Sequence, residues 1–417
     1  MDVYIVGIGM TPLGKHLEQS VKQLTAHAVN AALADAGATK EIVEAAWFSN
    51  TRQGALEGQH GIRGQIALKA AGFEGIPVFN TDSACASSSS GLMQAFAAIK
   101  AGIYEVALVV GTEKMNYPDR RKEMFDAFKG SWDRENAEAQ MAAVLAMGDG
   151  LELPPEALAD VGERSVFMDL YAAQARFHMK TFGTTQRQIA AVASKNHDHS
   201  QFNPLAQYRF PMTVDEVLAD RLVSWPMTRS MCAPMSDGSG ALIVAAKSAL
   251  SRFSKARAVR IRGIGVSSSS HRTAEQYERH LTRVATERCY EMAGADAKDA
   301  SVIEVHDASA IAEIIQLENI GLCSYGEGGS LAESGVTRLG GLIPVNVSGG
   351  LLSKGHPIAA TGAIQIHELV TQLRGEAGQR QVEGARIGLA ENGGGFLGFE
   401  EAACVVTMLE RDHGYES

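Results

Sequence analysis

"ALADAGATKEIVEAAWFSN", residues 32–50, has a close counterpart in "CYEMAGADAKDASVIEVHD", residues 289–307. Each stretch ends a helical pattern at Ala-Gly-Ala, turns, and enters a short apolar run that is typical of a buried strand. A second pair of stretches keeps nearly the same separation, because "FNTDSAC" and "VNVSGG" each place an asparagine, Asn80 and Asn346, where a strand is expected to end. The sequence therefore predicts two similar α/β halves.

Two further runs indicate a layered fold. "EVALVVGTE" (105–113) and "ARIGLAENGGG" (385–395) are almost continuously apolar, as expected for strands that helices cover on both faces. In such sheets the loops at the carboxyl ends of the strands usually carry the chemistry. We therefore take as candidates the polar or reactive residues of those loops: Cys85, His306, Glu391 with Asn392, and His356.

A segment from residue 116 to about 165 interrupts the alternation of strand and helix with charged and turn-rich pieces. We expect an inserted loop domain here. The predicted organisation is a first part of the N-terminal half, the loop domain, the remainder of that half and a C-terminal half, at residues 1–115, 116–180, 181–250 and 251–417.

Composition excludes several classes of protein. The chain has 417 residues with a net charge of −10 and no long basic run, which disfavours nucleic acid or an anionic membrane surface as a partner. No apolar run approaches membrane-spanning length, and "MDVYIVGIGMTPLGK" is typical of a buried strand and a turn rather than a leader. Five scattered cysteines show neither metal-ligand spacing nor a disulfide framework. We expect a cytoplasmic protein without a bound metal.

Cys85 stands in "FNTDSACASSSSGLMQAFAAIKAG", residues 79–102. A helix is predicted after it, since apolar residues recur at helical spacing and Gly102 stands at a C-cap position. Cys85 thus lies at or just before a helix N-terminus, where unpaired N–H groups and the helix dipole favour a thiolate and a lowered pKa. A buried, inert thiol is the alternative.

Several motifs carry a resemblance to a known family. "NVSGGLLSKGHPIAATGAIQIHELVTQLRGEAGQRQV" (346–382) resembles the thiolase superfamily signature, and "VIEVHDASAIAEIIQLENIGLC" (302–323) resembles its sterol-carrier-protein branch. Residues 58–72, 182–207 and 234–241 also resemble thiolase segments. The resemblance covers nearly the whole chain. It implies a duplicated αβαβα layered fold with an inserted loop domain, commonly a dimer, that handles acyl-CoA with coenzyme A as co-substrate and no covalently bound cofactor.

The resemblance also implies residue roles. Cys85 falls where the family has its acyl-accepting nucleophile, and His356, in a Gly-His-Pro turn, matches the general base that would supply the thiolate. His306 matches a histidine that helps to bind the thioester oxygen as the enolate forms. The loop "ENGGGF" would complete an oxyanion site with the Cys85 N–H through Asn392, Gly394 and Gly395. Methionines of residues 115–179 fill irregular space or line an acyl pocket.

One family feature is missing. Thiolases usually carry a second cysteine that moves the α-carbon proton, but the two expected places hold Glu391 or Asn392, and Ala308. Glu391 is a substitute if burial raises its pKa, and a hydrogen-bonding loop residue is the alternative. For Cys323 and Cys404, a buried thiol is the default interpretation, and an acid–base role is the alternative.

Three functional classes follow. We favour an acyl-CoA C-acyltransferase that cleaves a 3-oxoacyl-CoA with coenzyme A, or runs the reverse Claisen condensation, through an acyl-cysteine intermediate. The missing thiol favours a retro-aldolase, a CoA-independent C-acyltransferase or a hydrolase of the same fold. A non-catalytic acyl-CoA or lipid carrier is the third class. The branch also includes members that work with a small protein made of a zinc ribbon and an oligonucleotide-binding-type (OB-fold) barrel, so a homodimer and a hetero-oligomer are both expected forms.

Overall fold

The computed structural model describes residues 1–158, 161–162, 164–253 and 257–411. The strands are β1 Val3–Met10, β2 Ala45–Ser49, β3 Val78–Thr81, β4 Val106–Glu113, β5 Leu222–Ser224, β6 Met227–Thr228, β7 Gly238–Ala246, β8 Val259–Ser268, β9 Val302–Glu304, β10 Ile387–Gly394 and β11 Ala403–Arg411. The helices are α1 Val21–Ala36, α2 Gln53–Glu57, α3 Arg63–Ala70, α4 Ser87–Lys100, α5 Arg121–Asp126, α6 Ala137–Ala146, α7 Val166–Phe182, α8 Gln186–Ser200, α9 Val214–Ala219, α10 Leu281–Ala293, α11 Ala310–Asn319, α12 Gly328–Glu333 and α13 Thr361–Leu373.

The predicted duplication is confirmed by two helix ends. Helix α1 ends at Gly37 with φ 62° and helix α10 at Gly294 with φ 61°, a left-handed conformation that glycine adopts at little cost. Each helix is followed by a short strand, β2 or β9, so the Ala-Gly-Ala stretches are equivalent turns. The apolar runs at 105–113 and 385–395 form β4 and β10.

The sheet repeats the duplication. Within the described residues nine strands form one sheet in the order β3-β2-β4-β7-β1-β8-β11-β10-β9. The first strands of the two halves, β1 and β8, meet antiparallel at the centre. Outward from that junction the first half has β7, β4 and β2, and the second half has β11, β10 and β9. In each half the third of these is the strand that follows the Ala-Gly-Ala turn. This mirrored order is expected of two copies of one topology.

The second asparagine departs from the prediction. Asn80 lies in β3, one residue before its end, but the counterpart of β3 in the second half is a single bridge between Val345 and Ile303. Pro344 has no N–H to donate, and Asn346 has φ 53°, which ends the extended backbone. Pairing is therefore limited to one residue.

Helices occupy both faces of this sheet. Helices α4 and α13 pack against each other on one face, where α4 also contacts β2 and β4 and α13 contacts β10. Helices α1 and α10 cover the opposite face, α1 against β1 and β7 and α10 against β8 and β11. Leu92 and Phe96 of α4 and Leu369 of α13 belong to one buried cluster, so burial of apolar surface holds the two halves together. The predicted α/β layered fold is confirmed.

The inserted segment is mostly helical. It contains α5, α6 and the start of α7, joined by short 3-10 turns, and residues 159, 160 and 163 lie outside the described residues. The four domain boundaries stay a prediction. None of the helices in the described part of the chain is both long enough and apolar enough to cross a bilayer.

Candidate active site

Cys85 lies in the tight turn between β3 and α4. Helix α4 begins at Ser87, two residues later, and Gly102 follows its end with φ 73°, so the predicted helix and its cap are confirmed. Ala84 has φ 50°, an uncommon conformation for a residue with a side chain. The Ser87 hydroxyl holds this turn, since it donates to the Ala84 carbonyl at 2.6 Å and accepts the Ser83 N–H at 2.9 Å.

The pKa of the Cys85 thiol departs from the prediction. Burial raises it to about 12, although the Arg52 charge and a hydrogen bond with the Gly395 backbone oppose the rise. The sequence predicted a lowered pKa from the helix terminus alone. In the fold, desolvation of the thiolate outweighs the helix dipole. The resting site holds an uncharged thiol, so Cys85 needs a neighbouring base.

Two imidazoles stand next to this thiol. The Cys85 sulfur and one ring nitrogen each of His306 and His356 all lie within 4.8 Å of one another, and the two rings are 5.3 Å apart between centroids. The structure therefore brings together three residues that are far apart in the chain. Thiolate and imidazole are also zinc ligands, so these atoms would be the ones to hold a metal. The absence of a metal stays a prediction.

The contacts of His356 favour a role as a base. Its Nδ1 lies 2.8 Å from the Thr361 hydroxyl, which lies 3.5 Å from the Pro357 carbonyl, and its backbone N–H donates to Ser236 Oγ at 2.9 Å. If Thr361 donates to Pro357, it accepts from Nδ1–H, which leaves Nε2 free to accept a proton. Burial lowers the pKa of His356 well below its usual value, as do the neighbouring His306 and Arg52, so the ring is neutral at pH 7.

His306 has unused hydrogen-bonding capacity. The residue is only 1% exposed, and neither ring nitrogen has a partner in the described structure. Burial lowers the pKa of His306 to about 4, so the ring is neutral and one nitrogen carries a proton. Buried polar groups are nearly always paired. An unpaired N–H that lines a cavity is suited to a ligand oxygen.

The glycine loop lies directly on the Cys85 turn. A Cβ on Gly394 would stand 2.9 Å from the Cys85 nitrogen and 2.2 Å from the Ser83 carbonyl, so only glycine fits there. Gly395 follows with φ 70° and supplies the backbone contact to the Cys85 thiol. Asn392 faces another way, because its Oδ1 accepts the Ser89 hydroxyl of α4 at 2.8 Å. It joins β10 to α4 rather than lining the cavity.

Glu391 lies behind the His306 loop. Its Oε2 accepts the His306 backbone N–H at 2.9 Å, and its Oε1 accepts the Cys404 thiol at 3.4 Å. Burial and the Glu401 charge raise the pKa of Glu391 to about 8. A raised pKa is what Glu391 would need as the proton donor in place of the missing cysteine. The carboxyl is, however, not among the groups that line the cavity. Its role as the carbon acid stays a prediction.

The three central residues open into a cavity of about 200 Å³. Its walls are mainly apolar, with these aromatic and methionine side chains: Met115, Phe125, Phe128, Phe167, Met168, Tyr171 and Met235. Some of these methionines therefore pack in apolar clusters and others line the cavity, while its use as an acyl pocket stays a prediction. Met115 and Met168 line the cavity, whereas Met141 and Met147 pack in a separate apolar cluster.

Sequence reasoning missed Cys232. This thiol also lines the cavity. Its residue pairs with Ser309 in an isolated bridge, and the next N–H, of Ala233, donates to the Ala308 carbonyl at 3.1 Å. Cys232 therefore borders Ala308, one of the places where a second thiol was expected. The family motifs predict a second thiol only at particular positions in the chain. They give no signal for a thiol that another segment brings to the same place in the fold.

Sequence reasoning also missed Arg52, whose guanidinium borders the same cavity. It donates to the Ala127 carbonyl at 3.0 Å and to Ser131 Oγ at 2.6 Å. An isolated arginine after a strand carries no motif. Its burial depends on the inserted segment folding over it.

Comparisons with known proteins agree with this geometry. Residues 3–219 match the model of the thiolase N-terminal domain, and residues 263–407 match that of the thiolase C-terminal domain-like family. The chain is 33% identical over 401 residues to acetyl-CoA acetyltransferase of Methanothermobacter thermautotrophicus, covering 94% of this chain and 96% of that protein. It is 34% identical over 417 residues to sterol carrier protein 2 of Gallus gallus, covering 97% of this chain and 71% of that longer protein.

A solved structure shares the fold. The Ltp2-ChsH2(DUF35) aldolase superposes with a TM-score of 0.77 at 23% identity, covering 99% of this chain and 98% of that one. At that identity the likeness speaks for the fold alone. Both family models and the full-length relatives lead to one conclusion: this chain belongs to the thiolase family.

Proposed function

We propose that the protein is a C-acyltransferase that cleaves a 3-oxoacyl-CoA with coenzyme A, or runs the reverse condensation, through an acyl-Cys85 intermediate. The observation that carries this proposal is the cluster of the Cys85 thiol with two neutral imidazoles, all within 4.8 Å, at the wall of an apolar cavity. A thiol of raised pKa beside a free imidazole nitrogen is a nucleophile with its base.

In the first half-reaction, His356 takes the Cys85 proton and the sulfur attacks the 3-oxo carbon of the substrate. The N–H groups of Cys85 and Gly395 face the oxygen that becomes negative. Collapse of this adduct breaks the bond between C2 and C3, and its electron pair passes to the thioester as an enolate. His306 donates to the enolate oxygen, and an acid then protonates C2 to release the shortened acyl-CoA product.

In the second half-reaction, coenzyme A enters the same cavity. Its thiol loses a proton to the group that protonated C2, which restores that acid, and the sulfur attacks the acyl-Cys85 carbonyl. The bond to Cys85 breaks, a new acyl-CoA forms, and Cys85 regains a proton from His356. No prosthetic group is needed to balance these steps, and coenzyme A acts as a co-substrate.

The acid that protonates C2 has two candidates. Glu391 has a suitable pKa of about 8 but binds the His306 backbone. Cys232 lines the cavity beside Ala308, although burial and the Asp220 charge raise its pKa to about 12. A group of high pKa is a suitable donor to a carbanion-like carbon. We propose Cys232 as a competing candidate, and deuterium exchange at C2 in Cys232→Ala and Glu391→Gln separates the two.

A second candidate function follows from Ala308. Since alanine replaces the thiol of the branch at that wall, cleavage of a 3-hydroxyacyl-CoA by a retro-aldol reaction is the alternative. This reaction would need no acyl-cysteine. The aldolase neighbour is named together with a DUF35 protein, and we propose that a small zinc-ribbon and OB-fold protein could serve as a partner here too. Dimerisation stays a prediction.

The test is a turnover assay on matched 3-oxoacyl-CoA and 3-hydroxyacyl-CoA thioesters, with and without coenzyme A. The proposal predicts cleavage of the 3-oxo compounds only, and only when coenzyme A is present. Cleavage of the 3-hydroxy compounds without coenzyme A would contradict it and support the aldolase. Cys289→Ser is the matched control for Cys85→Ser, because it removes a buried thiol of α10 that does not line the cavity.

A further inference from the structure

The cavity wall has an unbalanced charge. Four arginines line it, and none of the described residues lining it is Asp, Glu or Lys; the arginines are Arg52, Arg121, Arg164 and Arg221. The whole chain has a net charge of −10, so this sign is opposite to that of the protein. A cationic lining selects for an anionic ligand.

The four arginines are not equivalent. Arg164 is neutralised by Asp169 at 2.8 Å, and Arg121 and Arg221 are exposed. Exposed arginines that line the cavity are suited to the phosphates of coenzyme A, which lie at the far end of its pantetheine arm from the thiol. Only Arg52 is both buried and close to the reacting centre, and the phosphates of coenzyme A are too far from the thioester to meet it.

Arg52 is buried, and although its charge acts on the nearby Glu113 carboxyl, no carboxylate of the described residues forms an ion pair with it. The residue is 5% exposed, and its two terminal nitrogens donate to an uncharged carbonyl and a hydroxyl, while Nε has no partner among the described residues. Its guanidinium stands 5.1 Å from the centre of the Phe128 ring. A buried charge is costly unless it is paired. An anion is therefore expected to join it in the working site.

A short chain of contacts joins Arg52 to Cys85. Ser131 accepts a bond from Arg52, and the Ser131 carbonyl accepts the Phe396 N–H at 2.9 Å. A Cβ on Gly395 would stand 3.2 Å from that same carbonyl. Since Gly395 contacts the Cys85 thiol, two residues, Ser131 and Gly395, connect Arg52 to Cys85, and the Arg52 charge acts on that thiol. Arg52, Cys85 and Phe128 all line the same cavity.

We propose that Arg52 binds a carboxylate carried by the acyl group, so that the preferred substrates are 3-oxoacyl-CoA thioesters with a carboxylate on the acyl chain. This inference rests on the proposed function. The planar guanidinium matches a carboxylate with two parallel hydrogen bonds. The Gly395 backbone already contacts the Cys85 thiol, and Nε of Arg52 has no partner among the described residues, so the guanidinium has donor capacity left for the substrate.

The experiment compares 3-oxohexanoyl-CoA with the analogue in which a carboxylate replaces its terminal methyl group. Wild type is expected to favour the carboxylated substrate in kcat/KM. Arg52→Gln should lower kcat/KM for that substrate about 10²-fold more than for the methyl substrate, the scale of a buried charge pair that loses one partner. Arg52→Lys should restore part of the loss. Arg283→Gln, which removes a partly exposed arginine of α10 that pairs with Glu287 away from the cavity, is the control.

Two results would overturn the inference. An equal loss on both substrates, together with a shifted pH profile of Cys85 alkylation, would mean that Arg52 serves the thiolate. No preference of wild type for the carboxylated substrate would exclude the substrate class. Binding of both thioesters to Cys85→Ser, with and without Arg52→Gln, is measured by calorimetry. Because that background cannot turn over, it tests the carboxylate site even if the acyltransferase proposal fails.

Discussion

The loop after β2 and the loop after β9 occupy equivalent places in the two halves, yet they present different groups to one cavity. The first loop carries the buried cation Arg52, and the second carries the neutral imidazole His306. Both loops are held from the neighbouring strand by a buried glutamate, Glu113 of β4 and Glu391 of β10. The two halves share this support and differ in the group that it supports.

The two glutamates differ in reach. Glu113 accepts the backbone N–H groups of Thr51 at 3.2 Å and Arg52 at 2.9 Å, and also that of Ala359 at 3.2 Å, three residues after His356. Among the described backbone groups of the loops around the cavity, the Glu391 carboxylate accepts a hydrogen bond from the His306 N–H only. Glu113 therefore links the two halves, whereas Glu391 acts within the second half. The site exists only when both halves are folded together.

The largest effect is expected from the nucleophile of the first half. Cys85→Ser should abolish acyl-enzyme formation and lower kcat by about 10⁴-fold or more, because a hydroxyl of similar size does not ionise near neutral pH. Steady-state turnover assays measure the fall in kcat, and circular dichroism checks that the variant is folded. An unchanged turnover number would remove Cys85 from the mechanism.

The next largest effect is expected from His356, the proposed general base in the second half. His356→Ala is expected to lower kcat by about 10²- to 10⁴-fold, the usual range for a lost general base. Because burial raises the pKa of Cys85 to about 12, alkylation of Cys85 by iodoacetamide at pH 7 should also slow in this variant. Equally fast labelling would show that another group activates the thiol.

The two supporting glutamates give a direct comparison. Glu391→Gln should reduce turnover by about tenfold if it only positions His306, and by about 10²- to 10⁴-fold with loss of deuterium exchange at C2 if it is the carbon acid. In either case loading of Cys85 should survive. Glu113→Gln should impair loading as well, since it holds loops of both halves. Equal effects of the two variants on loading would contradict the claim that Glu113 supports loops of both halves and Glu391 a loop of the second half only.

The smallest effect is on stability. Burial and the Glu401 charge raise the pKa of Glu391 from 4.5 to about 8, so the folded state holds a proton that the unfolded chain releases. Stability should therefore fall as pH rises from about 5 to about 8. Glu391→Gln should flatten this part of the curve, measured as the free energy of unfolding in urea. The same slope in both proteins would place the titration elsewhere, for instance at Glu401.

The fold could be predicted because its signals are local. The turns at Gly37 and Gly294 and the apolar runs of β4 and β10 depend on residues close together in the chain. The cysteine and the two histidines were found through motifs, and the structure brings them together. The second-half bridge at Val345 was missed, because Pro344 limits pairing in a way that the matching asparagines conceal.

The rest of the site depends on contacts between distant segments. The thiol pKa was predicted in the wrong direction, since the helix terminus is visible in the sequence and the burial of Cys85 is not. Cys232 reaches Ala308 through a bridge to Ser309, and Arg52 is buried by the segment that carries Ala127. The direction in which Glu391 points depends on its position in β10. A pattern along the chain cannot supply these facts.

The most direct test of the acyl-cysteine is mass spectrometry of the protein after incubation with a 3-oxoacyl-CoA, without coenzyme A, followed by peptide mapping. We expect one acyl group on Cys85, its loss on addition of coenzyme A, and no adduct in Cys85→Ser. Turnover of the same substrate with no adduct on Cys85, or with the acyl group on Cys232, would contradict the account.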